Sequence, residues 1–393
     1  MMKFDIHFCL ISGQAAPNLL PILDMEFKPQ KAVFVVSKAM KKQAEHLAKV
    51  FIANKVQVEP INLEDEFDFA KTSEQLLSLV EQYEDKNVAL NVTGGTKLIS
   101  IAAADAFNMI EKPIFYINTD NNEIIFLSKD ENKEWIANKP LDTNITLSTY
   151  LAAYGKSIKA AQDKINPSLL EPMQPVIKYY DKYKDVLPSL NFAAAEAEKN
   201  KLKYEFDKKF SMTAEFEDFL NELDFRRLID YNGRLVHFKN EEIRAFLNGG
   251  WLEDYVFQQV KGIKKGETKK VDDVLENVEL TNDQYQQNKS DYIAQNRGNK
   301  NEFDVIFLAR NKLHIIECKT QKFGKGSGQK AEDILYKLET LKDYGGLMTK
   351  KCLVSYFEVP EAVSNRAKSL EIHIIQGKDI ARLKQLIQEW IAK

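Results

Sequence analysis

Residues 301–320 read NEFDVIFLARNKLHIIECKT. The apolar residues fall in two short blocks on either side of Ala309-Arg310-Asn311-Lys312, which predicts two strands joined by a tight turn. With a two-residue loop at Arg310-Asn311, or a symmetric loop of four, Asp304 lies directly opposite Glu317. The period of two then puts Lys319 on the Glu317 face. Directly opposed side chains have Cβ atoms about 4.5–5.5 Å apart, and two acids at that spacing repel unless positive charge sits between them. The plainer alternative is an edge hairpin with its acids in solvent and Lys319 as a counter-charge. The company argues against it, because Ile306, Leu308, Leu313 and Ile315 share the carboxylate face, and a buried face seldom carries two acids and a lysine without a task. A divalent cation between the acids would relieve the repulsion.

The remainder of the chain sets bounds on that reading. At 393 residues it has room for two or three domains. Hydrophobic content of 44% beside 29% charged residues is ordinary for a globular protein. No stretch reaches about 18 uncharged apolar residues, and the opening MMKFDIHFCLISG carries Asp5. Neither a membrane span nor a signal peptide is expected, and a cytoplasmic location is. Cys9, Cys318 and Cys352 are far apart, as buried thiols in a reducing compartment would be. The five histidines form no paired-ligand spacing, so a zinc site is not expected. The net charge of −3 hides a gradient: residues 1–150 hold 15 Lys and no Arg against 21 acids, and residues 251–393 hold 24 basic residues against 21 acids. A polyanion must therefore be met locally. The runs KGIKKGETKK (261–270) and KTQKFGKGSGQK (319–330) are candidate phosphate contacts, or solvated loops.

From residue 1 to about 130, strand-like runs alternate with helical patterns, which predicts a doubly wound parallel sheet closed by an edge hairpin, in an α/β chain. Ligands in such sheets sit beyond the carboxyl ends of strands, where loops enter helix N-termini. Two loops qualify, ISGQAAPN after the first strand and NVTGGTK after the fourth. In the second, Gly94 and Gly95 admit close backbone approach, Thr93 and Thr96 offer hydroxyls, and Lys97 adds charge at a helix start. The spacing is not that of a P-loop, so ATP hydrolysis is not indicated. Residues 131 to about 245 contain prolines, helical patterns and a short hairpin with Asn232-Gly233 as its turn, but no catalytic constellation. From 246 the pattern predicts a helix at 250–260 and strands near 271–280, 290–296, 302–309 and 312–319. A Gly-rich loop at 324–328, a helix, a strand, a helix around 361–369, a strand and a terminal helix follow.

The hairpin resembles the PD-(D/E)xK nuclease core, an Asp on one strand and Glu-x-Lys on the next, although Phe303 stands where the family often has Pro. The resemblance implies that Asp304, Glu317 and Lys319 are catalytic. Asp304 and Glu317, with Glu253 from GGWLEDYVFQQV, would hold Mn2+ or Mg2+, and Lys319 would orient or activate water. Together with NVTGGTK, the chain is similar to the CARF-domain PD-(D/E)xK ancillary nucleases of type III CRISPR defence. That similarity implies a Rossmann-like CARF domain at 1–145, and the pattern that follows reads as a mostly helical connector with a winged-helix-like piece at 146–245. A restriction-endonuclease-like domain at 246–393 completes it. It further implies a homodimer whose paired CARF domains bind a cyclic oligoadenylate, commonly cyclic tetra-adenylate, and so switch on cleavage of single-stranded DNA or RNA. Ser12, Gln14, Asn18, Thr93, Gly94, Gly95, Thr96 and Lys97 would line the pocket, with Tyr116, Asn118 and Thr119 after strand five. Two alternatives remain open at this level, a messenger-independent restriction or repair nuclease and an inactive nucleic-acid-binding protein.

Overall fold

The computed structural model describes residues 3–263, 271–282, 301–323 and 328–393. The strand expected at 290–296, most of the basic run 261–270 and all but Gly328 of the Gly-rich loop lie outside the described residues.

The N-terminal domain is the doubly wound sheet that the alternation predicts. Strands β1 (Ile6–Leu10), β2 (Lys31–Val36), β3 (Gln57–Asn62), β4 (Val88–Asn91) and β5 (Ile114–Asn118) alternate with helices α1 (Ala16–Leu23), α2 (Lys41–Ala53), α3 (Phe69–Glu81) and α4 (Lys97–Met109). Strands β6 (Glu123–Phe126) and β7 (Lys139–Pro140) complete the order β3-β2-β1-β4-β5-β6-β7, antiparallel only from β5 onward. The buried strands read as continuous apolar runs because both faces are covered. Phe8 and Leu10 pack with Leu76, Ile99 and Phe107 of α3 and α4, while Cys9 packs with Leu19 and Phe51 of α1 and α2. The chain moves outward from β1 to β3 and then returns to β4 on the other side of β1. The loops after β1 and β4 therefore meet at the switch point.

In the C-terminal domain β12 (Val271–Asn282), β13 (Asn301–Ala309), β14 (Lys312–Lys319), β15 (Lys350–Ser355) and β16 (Ile372–Gln376) form a mixed sheet. Its far edge is β8 (Lys156–Gln162), which comes from the stretch read as connector and pairs antiparallel with β12. The hairpin has the predicted register: Val305 faces Ile316 and Ala309 faces Lys312, which leaves Arg310 and Asn311 as a two-residue loop. Both loop residues have positive φ, 50° and 58°, the turn whose twist matches that of the strands it joins. Both faces of the hairpin are buried. Val305, Phe307, Ile316 and Cys318 pack against the helix Trp251–Lys261 and connector side chains, and Ile306, Leu308, Leu313 and Ile315 share a core with residues of α1 and α2. Helix α5 (Leu147–Ala152) joins that shared core through Leu147, Tyr150 and Leu151.

Between these domains, the helices Leu187–Ala197 and Ala214–Phe225 pack on a small antiparallel sheet of β9 (Lys203–Glu205), β10 (Ile229–Asn232) and β11 (Leu235–Phe238). Its hairpin turn is shifted by one residue from the expected Asn232-Gly233. Asn232 pairs with Leu235, so Gly233 and Arg234 form the loop, with Gly233 at φ 64° in the first position. A glycine with positive φ at that position is what a type II′ turn requires.

Glycine at 94 has a steric cause. A Cβ there would lie 2.0 Å from the Leu10 carbonyl oxygen, a backbone atom that cannot swing aside. Gly94→Ala should therefore destabilise the protein by about 1–3 kcal/mol or more, read as a lowered denaturation midpoint. An unchanged midpoint would show that the β1 and β4 loops do not approach this closely.

Candidate functional site

The carboxyl ends of β13's partner strand and the start of the helix Trp251–Lys261 converge. Extending the ladder by one step sets Asp304 opposite Glu317, and Cys318 N donates to Asp304 Oδ2 at 2.6 Å. Lys319 Nζ lies 2.7 Å from Glu317 Oε1 and 3.6 Å from Asp304 Oδ2. Glu317 is buried, with a side chain only 3% exposed, and it also receives Lys337 Nζ at 2.9 Å on each carboxylate oxygen. Lys337 belongs to the helix Gly328–Thr340. The expected repulsion between the two acids is thus offset by two ammonium groups.

Glu253 reaches this cluster because its helix starts tightly against the end of β14. Gly249, at φ 129°, precedes the helix, and a Cβ on it would fall 2.4 Å from Thr320 Oγ1. Only glycine permits that approach. On the other side, Asn191 of the helix Leu187–Ala197 donates Nδ2 to the Thr320 carbonyl at 2.9 Å. Both supports therefore grip the residue just beyond Lys319.

Electrostatics mark the cluster. Burial, then Asp304, pushes the Glu253 carboxyl up to about 8. Burial, then Glu317, pushes Asp304 up to about 6. Burial alone would lower the Lys319 ammonium, but Asp304 and Glu317 outweigh it and hold the group charged, above its ordinary value. Next to Glu253, burial and then Glu242 push Asp254 up to about 6. Glu276 of β12 is buried with neither carboxylate oxygen hydrogen-bonded, and burial followed by Asp254 pushes it up to about 8. Buried acids with raised pKa beside a groove have the signature of a working site. The groove has a volume of about 930 Å³ and is lined by Glu253, Asp254, Lys319 and Lys322, with Asn191 and Phe192 on the connector side. Among the described residues, no three His, Cys, Asp or Glu side chains are grouped closely enough to hold a metal as they stand.

Sequence reasoning missed Lys337, Glu276, Asn191 and Phe192. Glu276 lies on β12, one of whose neighbours, β8, is distant in sequence, and Lys337 lies on a helix whose pattern does not indicate the strand it reaches. The connector offered only a helical pattern.

At the N-terminal switch point the expected residues divide by task. Asn18 is buried, donating Nδ2 to the Leu10 carbonyl at 2.9 Å and accepting from Asn91 Nδ2 at 2.9 Å. Thr93 Oγ1 donates to Asn91 Oδ1 and accepts from Ile117 N, both at 2.7 Å. These two brace the loops from below, around an Asn91 that the sequence reading did not single out. Gly94 and Gly95 supply close approach and a φ of 78°, and Thr96 caps α4 by accepting from Ile99 N. Lys97 and Tyr116 are exposed, while Ser12, Gln14 and Asn118 are half-buried. Gln14 Nε2 is buried without a partner and faces Gly346 of the C-terminal domain.

Two sets of contacts leave this end, one to the hairpin turn and one to residues 150–154, which reach the loop at Gly345. Asn311 Nδ2 donates to the Thr119 carbonyl at 2.8 Å and also to Asn122 Oδ1, and Lys312 Nζ pairs with Asp120 at 2.7 Å. Ala15 N donates to Tyr154 OH at 3.2 Å, and Tyr150 OH donates to the Gly345 carbonyl at 2.9 Å.

Among solved structures, a Vibrio cholerae protein, VC1899, aligns with a TM-score of 0.85 at 23% identity, over 100% of this chain and 98% of that one. Can2 from Sulfobacillus thermosulfidooxidans, solved with cyclic tetra-adenylate, aligns with a TM-score of 0.76 at 24% identity, over 99% and 97%. A type III CRISPR defence DNA nuclease activated by cyclic oligoadenylate gives a TM-score of 0.53 at 15% identity, over 90% of this chain and 46% of that one. At these identities the likeness is one of fold. No curated protein sequence matches. Residues 6–150 match the model of the Card1 CARF domain, residues 240–393 match that of the Card1-like endonuclease domain, and the chain belongs to the CARF-domain endonucleases of this type.

Proposed function

We propose that this protein is a metal-dependent nuclease of type III CRISPR defence. It cleaves single-stranded nucleic acid and is switched on by cyclic tetra-adenylate held between two CARF domains. The observation that carries this reading is the joining of the two sites by one hairpin. Asp304, Glu317 and Lys319 stand at its open end, and its turn is bonded to residues 119–122, next to the candidate messenger-binding loops.

Chemically, the acid cluster suits a hard divalent cation. Its donors are carboxylate oxygens from Asp304, Glu317 and Glu253, and burial and mutual repulsion have driven two of them toward protonation. Bound there, Mn2+ or Mg2+ would lower the pKa of a coordinated water and offset phosphate charge. Asp304 and Glu317 would hold the ion with Glu253 on the helix side, after side-chain rotation that draws the three carboxylates closer than they stand. Lys319 stays charged between the acids, so it acts as a donor that orients water and stabilises phosphate oxygens, and not as the base. In the cleavage step the attacking water would release a proton to solvent as its oxygen bonds to phosphorus, the phosphodiester P–O bond would break, and the leaving oxygen would take up a proton from solvent. Lys337 shares Glu317 and offsets the charge of that carboxylate.

At the other end, exposed Lys97 at the start of α4 and half-buried Ser12 present charge and a hydroxyl for an anionic ring, with Tyr116 and Asn118 beside them, while Gln14 turns its amide nitrogen toward Gly346. Leu98, Ile101 and Met109 of α4 are 40–69% exposed and form an apolar stripe suited to a second copy. A two-fold interface would bring both sets of loops to one symmetric ligand.

Glu317→Ala and Lys319→Ala should each abolish cleavage of labelled single strands while leaving cyclic tetra-adenylate binding unchanged by calorimetry. Cleavage that persists in either variant, or in EDTA, would sink the catalytic assignment. The raised acids make a second expectation. A carboxyl whose folded pKa exceeds its unfolded value binds more protons when folded, so stability falls as pH rises through the window between the two values. For Glu253 and Asp304 that window runs from about 4 to about 8. The metal-free melting temperature should drop across it, Mn2+ should restore stability more at pH 8 than at pH 5, and Glu253→Gln should weaken both effects. A flat metal-free profile would exclude the acid cluster. For the switch, Asn311→Gly keeps the positive φ but removes the contact to Thr119. It should reduce messenger stimulation, about 5- to 150-fold for a coupling of 1–3 kcal/mol, and spare messenger affinity and basal cleavage. Lys97→Ala should instead weaken messenger binding. Undiminished stimulation in Asn311→Gly would show that the hairpin is not the route.

A further inference from the structure

The groove that contains Glu253 and Lys319 has a second wall, formed by the helix Leu187–Ala197 and by Lys164 and Asn166 beyond β8. Phe192 stands on this wall and is 56% exposed, although Leu187, Leu190, Ala193, Ala194 and Ala197 of the same helix are buried. Its ring meets Tyr204 in a T-shaped contact, centroids 5.6 Å apart at 88°, and Tyr204 makes the same kind of contact with Phe206 at 4.9 Å and 84°. That column fixes the ring and leaves at least one of its faces free. The preceding residue, Asn191, is the one tied to the Thr320 carbonyl just beyond Lys319. An exposed, rigid aromatic ring is thereby set at a defined place along the wall facing the catalytic strand.

The same groove carries Lys164, Lys319 and Lys322 for phosphates, and Phe192 offers a π-face for a base. Cationic groups tracking a backbone beside an aromatic platform are the chemistry of single-strand binding, since a base stacked inside a duplex has no free face to give. We propose that Phe192 is a nucleobase-stacking subsite that holds one base of a single-stranded substrate beside the scissile phosphate. The proposal rests on the nuclease reading above and adds to it the residue that positions the strand.

The test uses the full-length protein with cyclic tetra-adenylate in EDTA, which permits binding without cleavage. Fluorescence anisotropy would follow short dye-labelled oligodeoxynucleotides and oligoribonucleotides, intact or with one abasic nucleotide at successive positions. Phe192→Ala should weaken binding about 5- to 150-fold, and Phe192→Trp should retain it, with melting temperatures unchanged in both. One abasic position should cost the unsubstituted protein the same factor yet cost Phe192→Ala nothing further. The deoxy and ribo arms show which strand the groove takes. Full-strength binding by Phe192→Ala, or an abasic penalty equally large in both proteins at every position, overturns the subsite while leaving the nuclease reading intact. If the unsubstituted protein neither binds nor, with Mn2+ added, cleaves any single strand, the nuclease reading fails and the subsite fails with it.

Discussion

Two acids facing each other across one antiparallel hairpin, Asp304 and Glu317, must be neutralised for the C-terminal sheet to exist in this form. Their backbone positions are not negotiable, because β13 and β14 are interior strands buried on both faces. A one-residue slip in register would exchange Ile306, Leu308, Leu313 and Ile315 with Val305, Phe307, Ile316 and Cys318 between two different cores. The acids therefore stay opposed, and the neighbouring elements supply charge. Lys319 comes from the same strand and Lys337 from the following helix, both within 2.9 Å of Glu317. Glu253 then adds a third acid to a place that already has two. Folding alone would not favour that addition, since removing charges from water is costly and like charges add to the cost. Concentrating such cost beside a groove is the signature of a functional site and not of a structural one.

The sequence made the hairpin legible because its information is local. Arg310-Asn311 sets the loop, the alternation sets the faces, and the opposition of Asp304 with Glu317 follows by counting. The N-terminal sheet was legible for a similar reason, as each strand and helix carries its own period. Long-range partnerships were not. Nothing near residue 156 announces that β8 will become the edge of a sheet more than a hundred residues away, where its half-exposed, mixed composition is acceptable only because it has one neighbour. Asn18 and Thr93 illustrate the limit at a site. A polar side chain in a binding-type loop can face the ligand or brace the loop, and only the placement of Asn91 beneath both decides for bracing. Gly233 shows a finer limit. Asn-Gly is a strong turn signal, but which residue of the pair enters the loop depends on the register imposed by β9 and the helix beneath.

The connection between the two ends follows from how the hairpin is held. A buried β-hairpin transmits displacement along its length because its ladder and both packed faces resist bending, as densely packed interiors do. Its turn is fastened to residues 119–122 by Asn311 and Lys312, and its flank meets the loop at Gly345, where a Cβ would come within 2.7 Å of Leu313. Tyr150 and Tyr154 reach that same loop from the side of β1, with Gln14 close by. The first domain thus approaches β14 along two lines, one from the β5–β6 turn and one from the loop after β1. Both sets of contacts lead to β14, the strand that carries Glu317 and Lys319.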